Sequence, residues 1–348
     1  MADAREPLPG AASVAAAATA RSPRPFIELL LPALVIGVII LVLPLFIPSF
    51  VSSLVTKMMI YGLFGMSLNF IWGYAGVPSF GHAAFFGVGG YATGILLLKV
   101  GIDSFWINFL LAVIVAAIIA AILGIPAFRV FGVGAGNTNP IYFLLATIAF
   151  GELLSRLAIA LRPLTGGSTG LAGIPEPDLG LGFRVTSGRL YYLTFVVVIV
   201  CLYILWRLVN SHYGYALRGI HDNEKRMQAL GYNTWLYKYT AWIIAGVFGG
   251  VAGIMFAYFG SVMVPNSLAM VTSDISFLLV ILGSSTTFFG PLLASVIYVG
   301  VEYVASLYLP DRWPLIFGAM FVLTIMLAPQ GLGVGIAKYW RRLVRGAS

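Results

Sequence analysis

Charge is what this 348-residue sequence has least of. Only 9% of its residues are Asp, Glu, Lys or Arg, against roughly 25% in an average soluble domain. A soluble fold cannot clothe its surface with so few ions. With 60% hydrophobic residues and a mean hydropathy of +0.98, the chain needs lipid as part of its solvent. The single cysteine, Cys201, excludes an internal disulfide framework, and three scattered histidines (His82, His212, His221) offer little for a structural zinc site. No lysine follows a glycine, so there is no Walker A loop, and His-Glu-x-x-His is absent. The expectation is a chain without metal, cofactor or catalytic residue, which is no enzyme in its own right.

What is present is a series of apolar runs. The first true run covers 29–47, and further spans are expected near 54–72, 80–98, 106–125, 140–161, 190–209, 237–259, 273–285, 289–308 and 313–333. Most are close to the ~20 residues that a helix needs to cross the hydrocarbon core. They are continuous rather than alternating, which disfavours a β-barrel. The fold class is therefore an all-α integral membrane protein of about ten spans, with interrupted helices in each half. Residues 1–28 read as a disordered Ala-rich arm, 29–336 as the polytopic domain and 337–348 as a basic tail. Arg21 and Arg24 follow the Ala-rich stretch instead of preceding it, which argues against a signal peptide.

Ten spans put both termini in the cytoplasm, and that parity places 13 Lys and Arg inside against 6 outside, the sense of the positive-inside rule. The net charge of +8 is thus a matter of membrane topology, and no nucleic-acid partner is expected. Two connections are long: 162–189 outside, rich in Gly and Pro, and 207–236 inside, with the densest mixture of charges. A weak echo links Gly73-Tyr74-Ala75-Gly76, leading to Ser79, Phe80, Gly81 and His82, with Gly283-Ser284-Ser285, leading to Phe288, Phe289 and Gly290. Such breaks point to a transport pathway and its midpoint; the alternative is that the glycines serve close helix packing.

Within the inside connection, Ser211-His212-Tyr213-Gly214 is followed by a stretch from Gly219 that reads as one short helix over 220–231. Ile220, Met227 and Leu230 fall on one face, and Gly231 suits a left-handed stop. A short amphipathic helix projecting from a membrane domain fits a soluble partner's groove. On the fifth span, Glu152 and Arg156 stand four apart and are expected to pair. Glu302 is a further mid-span acid, and Asp274 is expected to cap a helix. Trp106, Trp235, Trp313 and Trp340 are placed as interfacial anchors.

Together these motifs resemble the LivM type of branched-chain amino acid ABC-importer permease, over roughly residues 55–333. The resemblance rests on Gly73–Gly76 with Ser79–Phe85 and Gly89-Gly90-Tyr91; on Tyr142-Phe143, Ala146-Thr147 and Phe150-Gly151-Glu152; on Thr165–Gly167 with Gly170-Leu171 and Gly173-Ile174-Pro175; on 211–231; and on Pro329-Gln330-Gly331-Leu332. It implies a multi-pass protein of the bacterial inner membrane, in contact with lipid and working with a second, LivH-like permease, two ABC ATPase subunits and a periplasmic binding protein. Gly214, Gly219, Ile220, His221, Asn223, Glu224, Met227, Leu230 and Gly231 would then couple to the ATPase. Gly73, Gly76, Ser79, Gly81, His82, Gly283, Ser284 and Gly290 are candidates for the path. The family usually has Arg-Glu-Asn-Glu where this chain has His221-Asp222-Asn223-Glu224, and Gly-Gly-x-Gly where it has Gly283-Ser284-Ser285-Thr286; Gly132–Pro140 looks like an insertion. Relatives that carry urea, short amides or other small carboxylates offer an alternative solute, and an ion-coupled secondary transporter is the rival of another class.

Overall fold

The computed structural model describes residues 44, 48–129, 140–180, 185, 187–308, 312–327 and 331. The arm 1–28, most of the first apolar run, the insertion up to 139 and the basic tail lie outside the described residues. The chain divides into two compact units, Met1–Pro48 and Ser49–Ser348, and the described α-helices belong to the second.

These helices are α1 (Ser49–Ala75), α2 (Ala83–Ile95, extended by a π turn to Val100), α3 (Phe105–Arg129), α4 (Pro140–Ala160), α5 (Ser187–Val209), α6 (His212–Asp222), α7 (Glu224–Ala229), α8 (Thr234–Gly260), α9 (Met270–Gly283), α10 (Gly290–Tyr308) and α11 (Trp313–Leu327). Eight helical segments are long and apolar enough to span a bilayer, and α11 adds a shorter apolar helix. The protein is therefore an all-α, multi-pass membrane protein. Nine of the ten expected runs correspond to helices; the tenth, 29–47, lies outside the described residues except for Pro44.

Side-chain size decides which faces meet. Along α3, Ala112, Ala116, Ala120 and Ala127 are buried, whereas Ile107, Ile114, Ile118, Ile122 and Ile125 on the other faces are exposed. This inverts the soluble pattern, because lipid gives no reason to hide an isoleucine while close helix approach favours small residues. The partner surface is on α8, where a Cβ on Gly246 or Gly250 would stand 2.7 Å from Ala120 Cβ or 2.6 Å from Ala116 Cβ. The centre of the bundle belongs to α1 and α8, 78% and 67% of whose spans are buried, against 28% for α3 and 33% for α4.

One stretch of chain breaks the helical rule. Between α8 and α9, residues 261–269 are not α-helical: Val262–Met263 forms a short strand (β2) and Pro265–Ser267 a 3-10 turn. The strand pairs antiparallel with Leu171–Ala172 (β1) of the 162–189 connection, Leu171 opposite Met263 and Ala172 opposite Val262. Non-helical backbone in a membrane domain must bond to protein, and this pairing supplies part of that need. The segment 261–269 thus interrupts the chain before α9, and Gly283, where the sequence places a break, is that helix's last residue.

Candidate functional site

The unwound segment runs down the side of α2. Met263 packs on Gly90, Leu268 on Gly87, and Ser273, in the first turn of α9, accepts a hydrogen bond from the Ala83 N–H at 2.9 Å. The first turns of α2 and α9 are therefore neighbours. Glu152 on α4 belongs to the same junction: its Oε1 accepts from the Met270 N–H at 3.4 Å. A carboxylate there offsets the partial positive charge of the α9 N-terminus and occupies one of its orphan donors. The expected Glu152–Arg156 pair does not form. Arg156 is exposed one turn from the end of α4. Asp274 is likewise no cap, being the fifth residue of α9, whose N-cap is Ala269.

His82 precedes α2 and is fully buried, stacked on Phe64, with Nε2 at 2.8 Å from Ser67 Oγ. Ser79 is fully buried too. These two fill the core and do not line an open passage in this conformation. Gly81 meets α4 so closely that a Cβ would collide with the Thr147 carbonyl.

A second junction forms where α1 ends. A Cβ on Gly73 would run into the Ser285 carbonyl, and Asn69 Nδ2 donates to the Thr287 carbonyl at 3.2 Å. Phe277 of α9 is stacked between Trp72, 4.3 Å away, and Phe80, 4.0 Å away. The two glycine-marked breaks, 73–82 and 283–290, are thus in contact. They connect successive helices, and His221 of α6 touches the Gly73 carbonyl. That contact sets the end of α1 and the 284–289 turn beside the 210–233 connection. The second break is pinched shut, since Gly283 and Gly290 touch through their backbones and Gly331 packs on Ser284. Ser284 itself has φ +79, a region that L side chains avoid.

The 210–233 connection folds as two helices, not as the single one expected over 220–231. Ser211 caps α6 by accepting from the Gly214 N–H at 3.4 Å, while Asn223 is extended and caps α7 by accepting from the Arg226 N–H at 3.0 Å. Asn223 thereby ends one helix and starts the next. α7 folds back on α6, with Met227 Sδ 2.8 Å from where a Gly219 Cβ would stand, and Gly214 sits against the Val209 carbonyl. Gly231, at φ +88, closes α7, assisted by the Tyr232 N–H bonding to the Met227 carbonyl at 3.1 Å. The expected apolar face is divided: Ile220 is buried in the body, whereas Leu230 is 67% exposed.

Two clasps hold this unit to the bundle. Glu224 Oε2 and Lys238 Nζ of α8 lie 2.7 Å apart, the lysine side chain 7% exposed. His221 Nδ1 lies 3.2 Å from the Gly73 carbonyl. Beside them Tyr213 donates to the Tyr237 carbonyl at 3.0 Å and lies 2.8 Å from Thr240 Oγ1; burial pushes its phenol up to about 12. Exposed on this unit are, among others, His212, His221, Asp222, Lys225, Arg226, Leu230 and Tyr232.

A family model described as the branched-chain amino acid transport system permease component matches residues 50–325. The chain belongs to that family. It is similar to the high-affinity branched-chain amino acid transport system permease protein LivM of Salmonella typhimurium, 28% identical over 300 residues, covering 80% of this chain and 68% of that one. It is also similar to the probable LivM of Methanocaldococcus jannaschii, 26% identical over 78% of this chain and 90% of that one. The LivH permease protein of Salmonella typhimurium is 23% identical, over 78% and 90% of the two chains. No solved structure matches.

In this permease the residues that carry the site divide into those visible in the sequence and those that are not. Gly73, Gly76, Gly283, Ser284 and Gly290 gather around one junction, and Gly81 joins the other. Ser273, Met270 and Leu268 pass unnoticed in the sequence, because their role depends on backbone groups far away in the chain. The pair Lys57–Glu302, 2.8 Å apart, is also unforeseen: Lys57 falls near the start of the expected 54–72 span, yet the helix begins eight residues before it, at Ser49. Gly166-Gly167-Ser168-Thr169-Gly170 spells Gly-x-Ser-x-Gly, but Ser168 sits in a 3-10 turn and not on the strand-to-helix elbow that a nucleophile requires. Among the described residues, no group of three or more His, Cys, Asp or Glu could hold a metal ion.

Proposed function

We propose that this chain is one permease subunit of an ATP-driven importer of branched-chain amino acids in a bacterial inner membrane, with both termini in the cytoplasm. It offers a path and performs no covalent chemistry. A second, LivH-like permease, two ABC ATPase subunits and a periplasmic binding protein complete the transporter, and ATP is hydrolysed by the ATPase subunits. The observation that carries this reading is the α6–α7 unit, capped at both helix starts and clasped to the bundle at Glu224–Lys238 and His221–Gly73. A loop serving only as a linker needs neither clasp, whereas a lever must be stiff at its tip and tied at its root.

In this scheme the ATPase grips the exposed side of α6–α7 through Leu230 and its charged neighbours. Gly214, Gly219, Ile220, Met227 and Gly231 give the unit its shape, and Asn223 and Glu224 set the angle of α7. Closure of the nucleotide-loaded subunits favours one of two arrangements of the bundle, which requires contacts that differ between the two. The junctions at Gly73–Ser285 and at Glu152–Met270 are where α1, α4 and α9 would shift to open the path.

The test is reconstitution of the chain in proteoliposomes with the other four subunits and leucine as solute. ATP-dependent uptake that requires the binding protein is the expected result. Uptake by the chain alone, driven by an ion gradient, would overturn the proposal. Competition by urea or short amides in place of Leu, Ile and Val would reassign the solute.

A further inference from the structure

The last turn of a helix leaves carbonyls without intrahelical donors, and α1 ends in a way that isolates one of them. The Gly76 N–H returns to the Trp72 carbonyl at 3.0 Å, and the Val77 N–H passes over Gly73 to the Ile71 carbonyl at 3.3 Å. The Gly73 carbonyl, whose regular helical donor would be Val77, is taken by His221 of α6. A carbonyl only accepts, so the imidazole carries its proton on Nδ1. Gly76, at φ +71, makes room for the ring: a Cβ there would stand 2.7 Å from His221 Cδ2. One turn back on α6, Arg218 lies over the Tyr74 ring at 5.1 Å. Thus one face of α6 holds the end of α1, and the same Gly73 lies against the Ser285 backbone, with Asn69 tied to the Thr287 carbonyl.

We propose that His221 is a positioning residue that passes displacement of the α6–α7 unit through the Gly73 carbonyl to the 284–289 connection, so that both glycine-marked junction strands move with the lever. This rests on the reading of α6–α7 as the ATPase-docking element. His221, although exposed, therefore also reaches back to the bundle through Nδ1. A hydrogen-bond donor of the right reach is required at 221, not a positive charge.

The experiment uses the complete transporter with Thr286→Cys labelled by an environment-sensitive fluorophore; Cys201 is buried and should not compete. Nucleotide-induced fluorescence change is read for the parent, His221→Leu and His221→Gln, together with leucine imported per ATP hydrolysed. Loss of one hydrogen bond should lower both readings about threefold to tenfold in His221→Leu, while His221→Gln, which keeps an N–H donor, stays within about twofold of the parent. An undiminished response in His221→Leu would overturn the proposal, as would equal loss in His221→Gln. Failure of the ATPase subunits to assemble on His221→Leu alone would show a docking contact and also overturn it. A parent complex that assembles but is silent to nucleotide would remove the docking reading itself, and this inference with it.

Discussion

Glu224 and Lys238 tie the α6–α7 unit to the membrane bundle, 2.7 Å apart with the ammonium withdrawn from solvent. Glu224 is the first residue of α7, where its charge also complements the helix N-terminus. It therefore works inward, although its place in the charged 207–236 connection reads as a contact for a partner.

Replacing Glu224 by Gln removes the carboxylate that faces a buried ammonium. Breaking such a pair costs on the order of 3 kcal/mol, here expected as faster hydrogen exchange confined to residues 212–232. The double variant Glu224→Gln with Lys238→Met removes both charges and should restore most of the protection. If exchange in the single variant is unchanged, the clasp carries no weight.

Ser284 sits at φ +79 and ψ 125, a conformation suited to glycine, at a position where the resembling family has a glycine. Its hydroxyl lies 2.9 Å from Thr286 Oγ1, which recovers part of the cost. Ser284→Gly is expected to stabilise the permease by about 1 kcal/mol, seen as a higher midpoint in thermal unfolding in detergent. A lower midpoint would mean that the hydroxyl pair outweighs the backbone strain.

Gly81→Ala should be far more damaging. Its Cβ would meet the Thr147 carbonyl, and backbone on both sides leaves no side chain to yield. A loss of about 3 kcal/mol or more is expected from such overpacking, visible as poor recovery of folded protein after membrane extraction. Gly101→Ala, with nothing within 4 Å of its Cβ, is the control; it bears only the strain of its φ of +78.

Span positions were legible because lipid enforces long apolar helices whatever their partners. Helix stops that depend on one residue, such as Gly231, were legible too. What escaped was non-local. Pro265 and the gap that the expected spans leave at 260–272 mark a connection there, but strand β2 is not legible, since it is fixed by Leu171–Ala172 some ninety residues earlier. Asn223 reads as part of a helix until its side chain is seen capping the next one. The spacing of Glu152 and Arg156 places two Cβ atoms on one face but does not choose rotamers. The Met270 N–H, 118 residues away, competes for the carboxylate.

That competition gives a direct measurement. A double-mutant cycle on Glu152→Gln and Arg156→Gln should show coupling within about 0.5 kcal/mol of zero, the range for independent sites. Glu152→Gln alone should cost about 1 kcal/mol or less, as loss of a charge at a helix N-terminus does. Coupling above about 1 kcal/mol would restore the ion pair.

Lys57 and Glu302 supply the last test, because their pairing explains how α1 and α10 carry ions in an apolar bundle. The two are 2.8 Å apart and roughly three-quarters buried; the second carboxylate oxygen of Glu302 is buried without a partner. A lone charge at the centre of a spanning helix costs roughly 2.5–3.5 kcal/mol on insertion scales, and the partial exposure here reduces that figure. Lys57→Met should therefore destabilise the α1–α10 contact by on the order of 1–2 kcal/mol. Lys57→Met combined with Glu302→Leu should recover it, since apolar residues of similar volume often replace a buried pair at no loss. Thermal unfolding of the three variants decides the matter. If the double variant folds well yet uptake falls, the pair serves transport; if both recover, neutralisation within the bundle is its whole purpose.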